Sequence, residues 1–274
     1  MARFRIGSSL KMYFGHERTL AWMRAVAQTC AEHPATTSGT VRFFVVPTFP
    51  SIPAVVELAR PAGIAVGAQD LHWEDAGAFT GEVSGAELAE LGCTLAEVGH
   101  FERRTIFGET DDVVAAKTHA ALRNGLAPVL CVGESARGDR SGPDPGRAAA
   151  EAAAACIRQL ESALAPARAA GTGGRVLVAY EPFWAIGAAE PAPAEHVTAV
   201  CRALRAHVRD ESSFPGTLFP GTQVIYGGSA GPGLLPRIAA DVDGMFLGRF
   251  AHDPSAVRRV LDEVMLVSAG GREP

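Results

Sequence analysis

The sequence predicts a single-domain α/β fold, a closed (β/α)8 barrel, and two observations predict it. Short apolar runs alternate with longer helix-like runs along the whole chain, the pattern of a parallel sheet covered by helices. The length of 274 residues is close to the roughly 250 at which such barrels form one domain. An open doubly wound sheet has the same periodicity, but its first strand usually enters a Gly-x-Gly-x-x-Gly turn. The chain has Gly7-Ser-Ser-Leu-Lys11 there, which favours the barrel.

Each element follows in order. Phe4–Ser8 enters a strand pattern at once, and Glu17–Cys30 spaces its apolar residues as a helix does. Val41–Val46 is aromatic and β-branched, a buried strand; Ala65–Ala68 and Ala96–Gly99 are shorter ones. Asp111–Asn124 is a helix, with Thr110 as N-cap and two acidic residues in its first turn. Pro128–Val132 is the fifth strand, followed by the helix Arg147–Leu164, whose alanines at 148–150 and 152–155 carry high helix propensity. Val176–Tyr180, Gln223–Tyr226 and Gly244–Leu247 complete the strands, with helices at Ala194–Asp210 and Pro254–Val267. The barrel is expected over residues 1–269 and a flexible tail over 270–274; residues 136–146, rich in Gly, Pro and charge, read as a solvated loop.

Composition excludes several function classes. The net charge is −5 and no basic block occurs, so neither nucleic acid nor a membrane surface is an expected partner. No apolar run approaches the roughly 18 residues of a membrane span, and no secretory signal precedes the first strand. The five cysteines lack a Cys-x-x-Cys pair and read as reduced thiols of a cytoplasmic protein. No His-Glu-x-x-His or clustered Cys/His spacing appears, so no metal is expected.

The chemistry lies just past strand ends, where the active residues of such barrels sit. Val176-Leu-Val-Ala-Tyr-Glu181 delivers one carboxylate into Pro182 and then a small-residue segment, Ala185-Ile-Gly-Ala-Ala189, suited to closing over a ligand. That places Glu181 as a general base. His100 follows Gly99 at the start of a polar stretch, where a helix N-terminus would disfavour imidazolium. Lys11 supplies a fixed cation after the first strand. Tyr226-Gly-Gly-Ser229 and Met245-Phe-Leu-Gly248 expose backbone N–H groups able to cradle a phosphate.

These segments resemble the triosephosphate isomerase family. The resemblance is carried, in order, by Lys11-Met12, Gly67-Ala-Gln69, Gly77-Ala-Phe-Thr-Gly-Glu82, Gly99-His100 with Glu102-Arg-Arg104, Phe107-Gly-Glu109, Cys131-Val-Gly-Glu134, Ala179-Tyr-Glu-Pro182, Trp184-Ala-Ile-Gly187 and Tyr226-Gly-Gly-Ser229. The family is a standard example of a glutamate base paired with a neutral histidine under a closing loop, so those roles come with the resemblance. It implies a cofactor-independent isomerase in which Glu181, His100 and Lys11 are catalytic and Glu102 is a supporting residue. Gly187, Ser229, Gly248 and Arg249 would bind the substrate phosphate. Arg103, Arg104 and Glu109 read as a structural ion-pair network. The long loop Asp70–Glu82, bearing Trp73 and Phe79, would reach a second subunit, with Thr80 supporting the other site of a homodimer; His72 reads as a surface or interface residue of it.

The chain also departs from the family pattern. Ser9-Leu-Lys-Met-Tyr13 stands for Asn-Trp-Lys-Met-Asn, Phe101 for the serine after the histidine, Ala188-Ala189 for Thr-Gly, and Gly248-Arg249 for Gly-Gly. Replacing the asparagine by Ser9 leaves space beside the reacting carbon for a terminal CH2OH. These variants look similar to the branch acting on tetrulose phosphates, which makes erythrulose 1-phosphate the expected small phosphorylated sugar. The alternatives are the three-carbon reaction of dihydroxyacetone phosphate and a non-catalytic phosphosugar-binding barrel.

Overall fold

The structure, a computed structural model, describes residues 3–135, 145–188, 191–212 and 214–269. The tail and most of the glycine- and proline-rich loop expected from the sequence lie outside the described residues. Eight parallel strands close on themselves in chain order: β1 (Phe4–Ser9), β2 (Val41–Val46), β3 (Ala65–Ala68), β4 (Leu95–Val98), β5 (Ala127–Val132), β6 (Leu177–Tyr180), β7 (Gln223–Ala230) and β8 (Gly244–Leu247), with β8 pairing β1. The chain is thus the expected (β/α)8 barrel.

Between strands run α1 (His16–Glu32), α2 (Pro34–Thr37), α3 (Ile52–Ala59), α4 (Gly85–Glu90), α5 (Phe101–Ile106), α6 (Asp111–Arg123), α7 (Pro145–Ala169), α8 (Ala194–Arg209), α9 (Leu235–Ile238) and α10 (Pro254–Ala269). The short helices were not legible as periodic stretches, because four to eight residues give at most two turns. Helix α7 extends past Leu164 through Pro166, beyond the expected end. Proline costs about 3 kcal/mol inside a helix, but the extension buries Ala167 fully in the helix layer.

Side chains alternate in and out along every strand. Phe44, Val46, Leu95, Val129, Cys131, Leu177, Ala179, Ile225 and Phe246 fill the barrel interior, and a larger cluster packs the strands' outer faces against the helices. Large and small residues interdigitate in that interior: a Cβ at Gly7 would lie 2.0 Å from the Phe44 ring. Continuing the inward alternation upward reaches Ser9 on β1, Glu97 on β4 and Glu181 after β6, so the top of the core is polar. The ladder also breaks there. Strands β7 and β8 pair at Tyr226↔Met245 and Ala230↔Leu247, so Gly227, Gly228 and Ser229 together oppose Phe246 alone. This bulge bends the expected phosphate segment over the barrel mouth.

Candidate active site

A cavity of about 740 Å³ opens among the C-terminal ends of the strands. Ser9, Lys11, His100, Glu102, Glu181, Gly187, Ser229, Gly248 and Arg249 all line it, together with Tyr13, Phe101, Gly227 and Phe250. Thr80 does not; it sits exposed on the long loop.

Lys11 and Ser229 are the only described non-glycine residues with positive φ, at 47° and 52°. Such backbone is strained by roughly 1–3 kcal/mol and persists only where surroundings enforce it, commonly at functional sites. The Gln69 amide enforces it at Lys11, donating to the carbonyls of Lys11 and Val46 at 3.0 and 3.1 Å. The Lys11 ammonium donates to Glu102 Oε1 at 2.7 Å. Burial opposes its charge, but Glu102, with Glu181 and Glu97 beyond it, more than compensates and raises its pKa. Lys11 is therefore a permanent cation in the cavity.

His100 caps α5, its Nδ1 accepting the Glu102 backbone N–H at 3.2 Å. Accepting there assigns the ring proton to Nε2, the nitrogen 3.7 Å from Glu181 Oε2 and 3.9 Å from Glu97 Oε1. Burial, then the Lys11 charge, lowers the ring's pKa to about 4 against the pull of Glu102. Burial and the Lys11 charge thus favour the neutral imidazole at the start of α5. Gly99, at φ 73°, supplies the left-handed turn from β4 into that helix, and Arg104 Nε braces the Gly99 carbonyl at 2.9 Å.

The Glu181 backbone is pinned by its N–H to Val132 O at 2.9 Å, and its side chain is buried, with Oε2 lacking any hydrogen-bond partner. A Cβ at Gly227 would lie 2.5 Å from Oε1, so the carboxylate occupies space that only glycine leaves open. Burial, reinforced by the Glu97 charge and opposed by Lys11 and the Cys131 thiol, raises its pKa to about 8. A carboxyl with that affinity for protons suits a base working near neutrality. Phe101 lines the same wall, its ring 5.1 Å from that of Phe183.

The segment after Glu181 is tied down from three sides. Trp184 Nε1 donates to Glu134 at 2.8 Å, the Ser229 hydroxyl to the carbonyl of Ala185 at 2.7 Å, and the Arg249 guanidinium to the carbonyl of Gly187 at 3.0 Å. Ala189, at the expected lid tip, lies outside the described residues.

Behind α5, Arg103 and Glu109 form the expected ion-pair network. Its centre, which the sequence did not reveal, is the buried Lys117, held at 2.7 and 2.8 Å by Asp70 and at 2.5 Å by Glu109. His72 is a correction: it is buried, not on the surface, its ring 4.3 Å from those of both Trp73 and Phe79. The loop packs on its own histidine. Glu97, also missed, stands beneath the cavity floor with the Ser9 hydroxyl 3.0 Å from its Oε2.

The family model described as triosephosphate isomerase matches residues 4–264. The chain belongs to the triosephosphate isomerase family. Within it, the chain is 46% identical over 267 residues to an L-erythrulose-1-phosphate isomerase of Pectobacterium atrosepticum, covering 97% of this chain and 98% of the relative. It is 37% identical over 267 residues to the L-erythrulose-1-phosphate isomerase of Rhizobium etli, covering 96% and 92%. A triosephosphate isomerase from a Synechococcus strain is 34% identical over 266 residues, covering 96% and 98%. As a member of the triosephosphate isomerase family the chain fits a small phosphorylated sugar as substrate. No helix among the described residues is long and apolar enough to cross a membrane.

Proposed function

We propose that this protein is a sugar-phosphate isomerase that moves a carbonyl between adjacent carbons of a short ketose phosphate, with erythrulose 1-phosphate as its natural substrate. The observation that carries the reaction is the convergence of a buried carboxylate, a neutral imidazole and a fixed ammonium in one cavity. Glu181 removes the proton alpha to the carbonyl. Lys11 and the Nε2–H of His100 stabilise the enediolate oxygens as charge develops on them, and His100 carries protons between those oxygens. Glu181 then returns its proton to the neighbouring carbon. Both electrons and the proton stay within substrate and side chains, so no cofactor enters. Backbone N–H groups of Gly187, Ser229, Gly248 and Arg249 hold the phosphate, and the segment around Gly187 shields the enediolate from water.

The substrate reading is supported by Ser9, whose small side chain lines the cavity beside Lys11, and by the names of the relatives in Pectobacterium and Rhizobium. Erythrulose 1-phosphate should exceed dihydroxyacetone phosphate in kcat/KM by roughly tenfold to two-hundredfold, because the smaller substrate leaves the polar space unfilled. Ser9→Asn should move the preference toward three carbons. A wild-type preference of more than about tenfold for the triose would sink the four-carbon reading.

The working unit we propose is a homodimer in a reducing cytoplasm. Supporting it are the five free, buried thiols and the apolar side chains displayed on the segments that follow β1, β3 and β4: Met12 at 90% exposure, Trp73, Phe79, Ile106 at the end of α5 at 70% and Phe107 at 64%. Loop Asp70–Glu82 then carries Thr80 to the partner's site. Sedimentation equilibrium should return twice the chain mass, and Phe79→Asp should yield monomers of much reduced kcat. A fully active wild-type monomer would rule this assembly out.

A further inference from the structure

Glu97 touches none of the reacting atoms in the reaction as derived above, yet it is the carboxylate placed most unexpectedly. It follows Leu95 on the inward face of β4, above an interior otherwise filled by apolar side chains, and it is buried. A carboxylate in such a place needs partners. The cation nearest the site, Lys11, makes its hydrogen bond to Glu102 instead. What Glu97 does hold is the Ser9 hydroxyl, at 3.0 Å, while its other oxygen lies 3.9 Å from His100 Nε2.

The direction of that hydrogen bond matters. An ionised carboxylate only accepts, so the Ser9 hydrogen points at Glu97 and the serine's lone pairs are left to the cavity. Donation to a charged acceptor also polarises the hydroxyl and makes its oxygen a better acceptor in turn. A ligand atom against Ser9 must therefore be a donor. The reacting oxygens already have Lys11 and His100; a hydroxyl on the carbon beyond the reacting pair is the donor that a four-carbon ketose phosphate has and a three-carbon one lacks.

We infer that Glu97 is a positioning residue that sets substrate length, holding Ser9 as a hydrogen-bond acceptor for the terminal hydroxyl of a four-carbon ketose phosphate. This rests on the four-carbon reading proposed above. The charged and titratable groups facing Glu97 come from five elements: Lys11 after β1, Asp70 after β3, His100 and Glu102 after β4, Cys131 on β5 and Glu181 after β6. Burial raises its pKa to about 7 against the pull of Lys11 and Ser9. Ser9 is accordingly held most firmly in alkaline solution, where Glu97 is ionised, and discrimination for four carbons should strengthen as pH rises through that value.

The test is kcat/KM on erythrulose 1-phosphate and dihydroxyacetone phosphate for the wild type, Glu97→Gln, Glu97→Leu, Ser9→Ala and the Ser9→Ala/Glu97→Leu double variant, each checked for folding by circular dichroism. Glu97→Leu should lower the four- to three-carbon ratio of kcat/KM about tenfold, a ratio in which any effect of the lost charge on the shared base Glu181 cancels, and the double variant should lose no more of that ratio than the larger single loss, as residues acting in one chain do. Glu97→Gln, nearly isosteric and uncharged, should abolish the pH dependence of the four- to three-carbon ratio. A merely structural glutamate would lower both substrates alike. If the wild type prefers four carbons and every folded Glu97 variant keeps its ratio, the inference falls while the substrate reading stands; a wild type that prefers the triose overturns both.

Discussion

Glu181→Gln should give a folded barrel whose kcat falls by roughly 10²- to 10⁴-fold, the usual contribution of a general base, with little change in affinity for inorganic phosphate. The base acts only on the way to the transition state, whereas the backbone donors around Ser229 hold the phosphate throughout. In the unaltered enzyme, kcat/KM should climb as pH rises through about 8, because burial holds the Glu181 carboxyl protonated up to that point and only the ionised form removes a proton. The same shift has a stability consequence of definite sign. A carboxyl whose pKa goes from 4.5 to about 8 on folding binds its proton more tightly in the native state, so it weakens the fold as pH rises across that interval. The glutamine variant lacks this liability and should lose less melting temperature between pH 5 and pH 8. Near-normal turnover of the variant would refute the role assigned to Glu181.

Lys117→Met should be the most damaging substitution away from the cavity. The ammonium is buried against both oxygens of Asp70 and one of Glu109, with Arg103 the remaining cation in contact with the pair. Removing one partner of a buried ionic cluster leaves uncompensated charge and typically costs about 3–5 kcal/mol. For a chain of this size that is a melting-temperature loss of roughly 6–20 °C. Burial already raises the Asp70 pKa against the pull of Lys117, so without the lysine the carboxyl should rise further. The deficit should accordingly be smaller in mildly acidic solution, which favours the protonated Asp70 carboxyl, than at pH 8. A loss below about 1 kcal/mol at pH 8 would mean that the cluster is replaceable by packing alone.

What the sequence made legible follows from how local each signal is. The strands were readable because each is a brief apolar run bounded by glycine, proline or charge, and Lys11, His100 and Glu181 because each follows such a run directly. Glu97 escaped because it interrupts an apolar strand with a single polar letter; its inward orientation was available from the two-residue period shared with Leu95, but its partner Ser9 stands 88 positions away. The same separation hid Lys117, whose contact with Asp70 spans 47 positions, and the Gln69 amide that stabilises Lys11 spans 58. Thr80 is different in kind. Its expected role needs a second chain, and in one barrel it has nothing in the cavity to act on.

The gap at Gly227 divides the cavity wall for anyone redesigning it. Ser9, Phe101 and Arg249 present ordinary side chains whose exchange would retune reach, polarity or charge, and a randomised library could sample all three while the barrel stays closed. Position 227 offers no such choice. Even a methyl group there would meet the Glu181 carboxylate at 2.5 Å and push the base from its seat. New substrates can be sought around the rim of this enzyme, while the floor beneath its base admits one residue only.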